Sequence, residues 1–125
     1  MDKLIKNKNK YDLEERTTLF SESVIELLQK INKNTITLPI IDQLIRSATS
    51  IGANYREANG ASSKKDFKNK IFLCKKESKE TEYWLRLLAK SIESEEIKEI
   101  CRRIWKENHE LLLIFSKIAK SAKKN

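Results

Sequence analysis

His109 is the only histidine in the 125 residues. A metal site or a catalytic dyad needs partners for it, and the adjacent Glu110 points elsewhere, because residues i and i+1 do not face each other on a helix. His109 therefore reads as a helix-surface residue. Cys74 and Cys101 stand about 19 residues before and about 8 residues after a turn near Glu93. On antiparallel helices that separates them axially by on the order of 16 Å, whereas a disulfide needs Cα atoms within about 7 Å. They read as two buried, unpaired thiols. The acidic pairs Glu14–Glu15 and Glu95–Glu96 fall in first turns, where negative charge suits the helix dipole. Glu77, Glu80 and Glu82 are mixed with Lys75, Lys76 and Lys79, as on a solvated face. No CxxC, HExxH, GxGxxG or phosphate loop occurs. No reaction class assembles from these residues, so no catalytic site, cofactor or metal is expected.

Charge offers a different chemistry, attraction to a polyanion. The formal net charge is +8. Residues 1–10 contribute +3 and residues 117–125 contribute +4, which leaves +1 for the body. Two basic tails on a nearly neutral body argue for nucleic acid less strongly than the total does. Within the body the charge is uneven. Ser63 to Glu80 is +4, and Asp12 to Ile31 is −3. Lys64, Lys65, Lys68, Lys75, Lys76 and Lys79 are the candidate phosphate contacts. The competing reading is a solvated lysine face that pairs with acidic helices of the same assembly.

These residues must be positioned by helices. Two Gly and one Pro are too few for the turns of a sheet protein of this length. Asp12 with Glu15 forms a capping-box pattern, and Leu19 or Phe20, Val24, Leu27 or Leu28 and Ile31 recur at helical spacing. The pattern predicts a helix over 12–32. Pro39 suits the first turn of a second helix over 38–59, in which Ile41, Leu44, Ala48, Ile51, Tyr55 and Ala58 form a seam that stops at Gly60. Ser63 with Asp66 opens a third helix over 63–92, with Phe67, Ile71, Cys74, Ser78, Thr81, Leu85, Leu88 and Ile92 in steps of 4 and 3. Ser94 caps a fourth over 95–122, with Ile97, Cys101, Ile104, Asn108, Leu111, Phe115, Ile118 and Ala122. Long helices with short loops force antiparallel neighbours. The expectation is an all-α, antiparallel up-down-up-down four-helix bundle over 12–122, flanked by mobile basic tails at 1–11 and 123–125. No segment reaches the ~18 apolar residues of a membrane span. With no signal-peptide pattern, a soluble cytoplasmic protein with reduced thiols is expected, without a membrane partner.

The helices carry more apolar residues than one bundle can bury. Leu111 to Phe115 are consecutive apolar residues, with Ile100 and Trp105 also off the seam, as are Phe72, Leu73, Tyr83, Trp84 and Leu87 on the third helix. A partner surface is implied, with Trp84, Leu87, Trp105, Leu112 and Leu113 as candidates.

Tyr-Asp-Leu-Glu-Glu-Arg at 11–16 and Gln-Leu-Ile-Arg-Ser-Ala-Thr-Ser-Ile-Gly-Ala-Asn-Tyr-Arg-Glu-Ala at 43–58 are two distinctive runs. So are Ser-Ser-Lys-Lys-Asp-Phe at 62–67 and Lys-Glu-Ser-Lys-Glu-Thr-Glu-Tyr-Trp-Leu at 76–85. Together they make the chain resemble the bacterial four-helix-bundle family whose founders are encoded in intervening sequences of 23S ribosomal RNA genes. The resemblance covers about two-thirds of the chain, from Tyr11 to Lys90. It implies a homopentamer of bundles. A related branch, the accessory protein of diversity-generating retroelements, works with a reverse transcriptase and nucleic acid, but this chain looks closer to the generic branch. Ser47, Ser50, Asn54 and Glu57, spaced 3, 4 and 3, would form a polar stripe that lets another helix approach closely, and they join the candidate oligomer interface. The expected function is a non-enzymatic oligomeric scaffold that binds RNA or a nucleoprotein. The alternative is a protein–protein adaptor without nucleic-acid binding.

Overall fold

The computed structural model describes residues 12–124, which form four α-helices and no strand: α1 (Leu13–Gln29), α2 (Thr37–Asn59), α3 (Lys64–Lys90) and α4 (Glu95–Lys124). The basic tail expected at 1–11 lies outside the described residues, as does Asn125. α4 continues through Lys123 and Lys124, where the sequence predicts a tail to begin.

The N-terminal caps are those expected from residue type. The Asp12 carboxylate accepts the Glu15 amide at 3.2 Å, Ser63 Oγ accepts the Asp66 amide at 3.1 Å, and Ser94 Oγ accepts the Ile97 amide at 3.3 Å. Each satisfies an amide that has no partner within the helix. α1 ends at Gln29, short of the predicted Asn32, because the following residues build a turn of their own. Asn34 Oδ1 accepts the amides of Ile36 and Thr37 at 2.8 and 2.9 Å, and Thr37 Oγ1 donates to the Asn32 carbonyl at 2.7 Å. These side-chain bonds replace helical ones. Gly60 does cap α2, but at φ −95° and ψ 10°. That backbone conformation is open to any L-residue, so the stop does not depend on glycine.

The helices pack in sequence order around one core. Phe20, Val24 and Leu27 of α1 are fully buried with Leu44, Ala48 and Ile51 of α2, Ile71, Cys74 and Leu88 of α3, and Ile104, Leu111 and Phe115 of α4. Burying each of the larger side chains is worth roughly 1.5–3 kcal/mol. α1 and α2 approach closely at Gly52, where a Cβ would lie 3.1 Å from Thr17 Oγ1. Polar residues on the seams pair across helices. Thr81 of α3 hydrogen-bonds Ser47 of α2 at 2.9 Å, and Asn108 Nδ2 of α4 donates to the Ser78 carbonyl of α3 at 2.9 Å.

The α1–α4 seam closes the bundle and holds a buried ion pair that a search for apolar periodicity does not detect. Arg16 Nε and Nη2 donate to the two Glu107 carboxylate oxygens at 2.7 and 2.8 Å, and Nη2 also reaches Glu110 at 3.3 Å. The side chains of Arg16 and Glu107 are each 3% exposed. The hydrogen bond to Glu107 leads the causes that hold the guanidinium above its ordinary pKa, against the opposing effect of burial.

Candidate nucleic-acid interface

α3 has three distinct sides. Its core side bears Ile71, Cys74, Ser78, Thr81, Leu85 and Leu88. The flank toward α2 carries Glu77 and Glu80, which accept from Arg46 at 3.3 and 3.2 Å. On this flank Lys70 also donates to Glu57 of α2 at 2.9 Å. The flank toward α4 carries Glu82, whose Oε2 lies 3.6 Å from His109 Nδ1. The outer face lies opposite the core.

Four of the six sequence-predicted lysines fall on that outer face. Lys65, Lys68, Lys76 and Lys79 belong to one row of 3- and 4-residue steps, and Arg86 and Lys90 continue it. All six are exposed except Lys68, which is half-buried. No acidic residue interrupts the row. Arg86 and Lys90 were not among the predicted contacts because they lie beyond the Lys-rich stretch that ends at Glu80, although the 3–4 rhythm itself extends to them. Lys64 and Lys75 lie in the neighbouring row, which leads to Glu82. Lys64 and Lys68 also edge a groove with Phe67 and with Ile118, Ser121 and Ala122 of α4. α1, with four glutamates and its capping Asp12, sits diagonally across the bundle from α3, so the acidic and basic helices face opposite ways.

The interface candidates divide. Ser47 does not contribute to a surface stripe. It is fully buried and bonded to Thr81, because its position on α2 faces α3 rather than outward. Ser50 and Asn54 are half-buried and spend their donors on their own helix, Ser50 Oγ to the Arg46 carbonyl at 2.7 Å and Asn54 Nδ2 to the Ser50 carbonyl at 2.8 Å. Glu57 is exposed and paired with Lys70 in the same chain. Trp84 packs against the core on the α2 flank of α3, and Leu87 is half-buried nearby. Trp105 stacks on His109 with ring centroids 5.1 Å apart, on the α4 side. The two tryptophans thus lie on opposite flanks of α3. On α4, Leu112 is half-buried and Leu113 is 56% exposed.

His109 does have a carboxylate neighbour, Glu82 of α3 rather than Glu110, and the contact requires the tertiary fold. Both cysteines are free and buried. Burial pushes the Cys74 thiol up to about 12 and that of Cys101 to about 11, which keeps them protonated and far from the range of nucleophilic thiolates. Among the described residues no helix is long and apolar enough to cross a membrane.

Residues 9–112 match the family model described as 23S rRNA-intervening sequence protein. No match was found among curated proteins. Among solved structures, the chain is similar to a protein of unknown function from the S23 ribosomal protein family of Bacteroides thetaiotaomicron, determined at 1.70 Å. The two share 32% identity and a TM-score of 0.72 over 86% of this chain and 97% of that one. The fold, the 104 matched positions and this neighbour agree: the chain belongs to the 23S rRNA-intervening sequence protein family.

Proposed function

We propose that this chain is a non-enzymatic, ring-forming helical scaffold that binds RNA or a nucleoprotein through the outer face of α3. The observation that carries the reading is the row Lys65, Lys68, Lys76, Lys79, Arg86 and Lys90, basic and without an acid over ~38 Å of helix. The charged partners available on neighbouring helices lie elsewhere. Arg46 takes Glu77 and Glu80, and Lys70 takes Glu57. Retention of RNA on a filter at low salt, with log affinity falling steeply and linearly against log salt, is the expected result. Replacing Lys65, Lys68, Lys76 and Lys79 with Glu should abolish retention and leave the oligomer mass unchanged. If neither RNA nor DNA is retained at low salt, the protein-adaptor reading takes its place.

The assembly proposed is a homopentamer in the cytoplasm, where unpaired thiols stay reduced. Support for a ring comes from the apolar surplus. A closed ring with more than two members uses a head-to-tail interface, which needs two different patches on each copy. Trp84 with Leu87 and Trp105 with Leu112 supply patches on opposite flanks of α3. The number five follows the family resemblance. Light scattering at micromolar concentration should give five times the chain mass, and a monomer mass would overturn the assembly. Trp105→Glu should reduce that mass, because it places a charge where the interface excludes water.

A further inference from the structure

The outer row of α3 holds two residues besides its cations, and both are aromatic. In full it reads Lys65, Lys68, Phe72, Lys76, Lys79, Tyr83, Arg86 and Lys90. Phe72 is 60% exposed and Tyr83 56%. They are separated by eleven residues, or ~16 Å along the axis, with Lys76 and Lys79 between them. Tyr83 meets Trp84 edge to face, with centroids 5.0 Å apart and planes at 73°, which restrains its ring while leaving it at the surface. Each ring keeps more than half of its surface in water amid lysines, so most of its stacking face is not used by the fold of its own chain.

We infer that this row is a platform for unpaired nucleotides, on which Phe72 and Tyr83 stack bases while Lys76 and Lys79 meet the phosphates between them. The inference rests on the reading of α3 as the nucleic-acid face and adds the class of ligand, single-stranded RNA or DNA rather than duplex. A ring can stack only on a base whose face is free. In a duplex those faces are covered by the next base pair, and only edges and the backbone are offered. Cations interleaved with aromatic rings on one straight face fit a strand with exposed bases, and the fit makes no demand on sequence, since every base has a stacking face. Charge argues against a second copy of the same row as occupant, since two such faces would repel.

The test compares a fluorescein-labelled oligouridylate with an RNA duplex of equal length by anisotropy at low salt, using the intact oligomer. Phe72→Ala and Tyr83→Ala should each weaken single-strand binding by about tenfold and leave duplex binding nearly unchanged. Lys76→Gln with Lys79→Gln should weaken both ligands. Phe72→Leu should bind as poorly as Phe72→Ala, because bulk without a ring face does not stack. Single-strand binding that survives the Phe72→Ala/Tyr83→Ala double substitution overturns the platform while leaving basic-face binding in place. No binding of either ligand by the unaltered protein overturns both readings. A drop in oligomer mass in the double variant, measured by light scattering, would show that the row is a subunit interface and overturn the platform as well.

Discussion

Arg16 and Arg46 meet the same pattern of partners, two glutamates three residues apart on a neighbouring helix, in opposite surroundings. Arg16 is clamped by Glu107 and Glu110 with its side chain 3% exposed, and Arg46 by Glu77 and Glu80 with its side chain 47% exposed. The distances differ as well, from 2.7 Å for the shortest bond of the first clamp to 3.2 Å for the shortest of the second. A charge taken out of water must be matched closely or the fold loses several kcal/mol, whereas a hydrated charge has water as an alternative partner. Similar clamps can therefore be structural in one place and nearly dispensable in another, and burial decides which.

The largest effect expected from breaking this comparison is at the buried clamp. Glu107→Ala leaves the Arg16 guanidinium buried with only the partly exposed Glu110, and should cost about 3–5 kcal/mol in urea denaturation. Replacing both Arg16 and Glu107 with Met removes both charges at similar volume and should recover most of that loss. If the double variant is as unstable as the single one, the shape of the clamp matters more than its charge.

Packing beside Arg16 provides a control of intermediate size. Gly52 faces Thr17 at a close approach of α1 and α2. Gly52→Val should overpack that contact and cost about 1–3 kcal/mol in thermal unfolding. Gly52→Ala should be near neutral, because a helix-interior gain of about 1 kcal/mol over glycine offsets the 3.1 Å approach to Thr17 Oγ1.

Arg46→Ala at the exposed clamp should cost less than about 1 kcal/mol, and less still in high salt. The smallest effect expected is a pH dependence. Burial first, and then the hydrogen bond with Glu80, raise the pKa of the Glu77 carboxyl, while the same bond holds that of Glu80 below its ordinary value. The lowered group adds stability above the ordinary carboxyl range and loses it as pH falls. The raised group does the reverse, opposing folding as pH climbs past that range. The two act in opposite directions. Glu77→Gln removes the raised member, so its stability should fall more steeply on acidification than that of the unaltered protein, as read from urea midpoints between acidic and neutral pH.

Much of the fold was legible because it rests on local rules. Asp12, Ser63 and Ser94 cap helices for the same reason that their types suggest, and the seams of α3 and α4 follow the 3–4 rhythm. The end of α1 was not legible, since Asn34 and Thr37 act through a turn whose bonds span several residues. Arg16 and Glu107 escaped notice because both occupy seam positions, where a search for apolar residues passes over charges, although their opposite signs on the first and last helices were a usable signal. Ser47 looked like a surface residue because a small polar side chain next to an apolar seam carries no mark of the Thr81 opposite it. The basic row was legible in part. Composition found the lysines, and only helix geometry separated Lys64 and Lys75 from the others and added Arg86 and Lys90.

The buried clamp also bears on the order in which the molecule forms. α1 with α2, α2 with α3 and α3 with α4 are joined by short turns, so those pairings close small loops and are quick to find. Arg16 and Glu107 are 91 residues apart, across the seam between the first and last helices. Such a contact carries the greatest loop-closure cost, and its charges shed water only when the seam shuts, so it should form after the folding barrier. Glu107→Ala should then accelerate unfolding and leave the refolding rate almost untouched, with the whole change on the unfolding arm of a denaturant chevron. A slower refolding arm would instead place the closure of α1 on α4 at the start of folding.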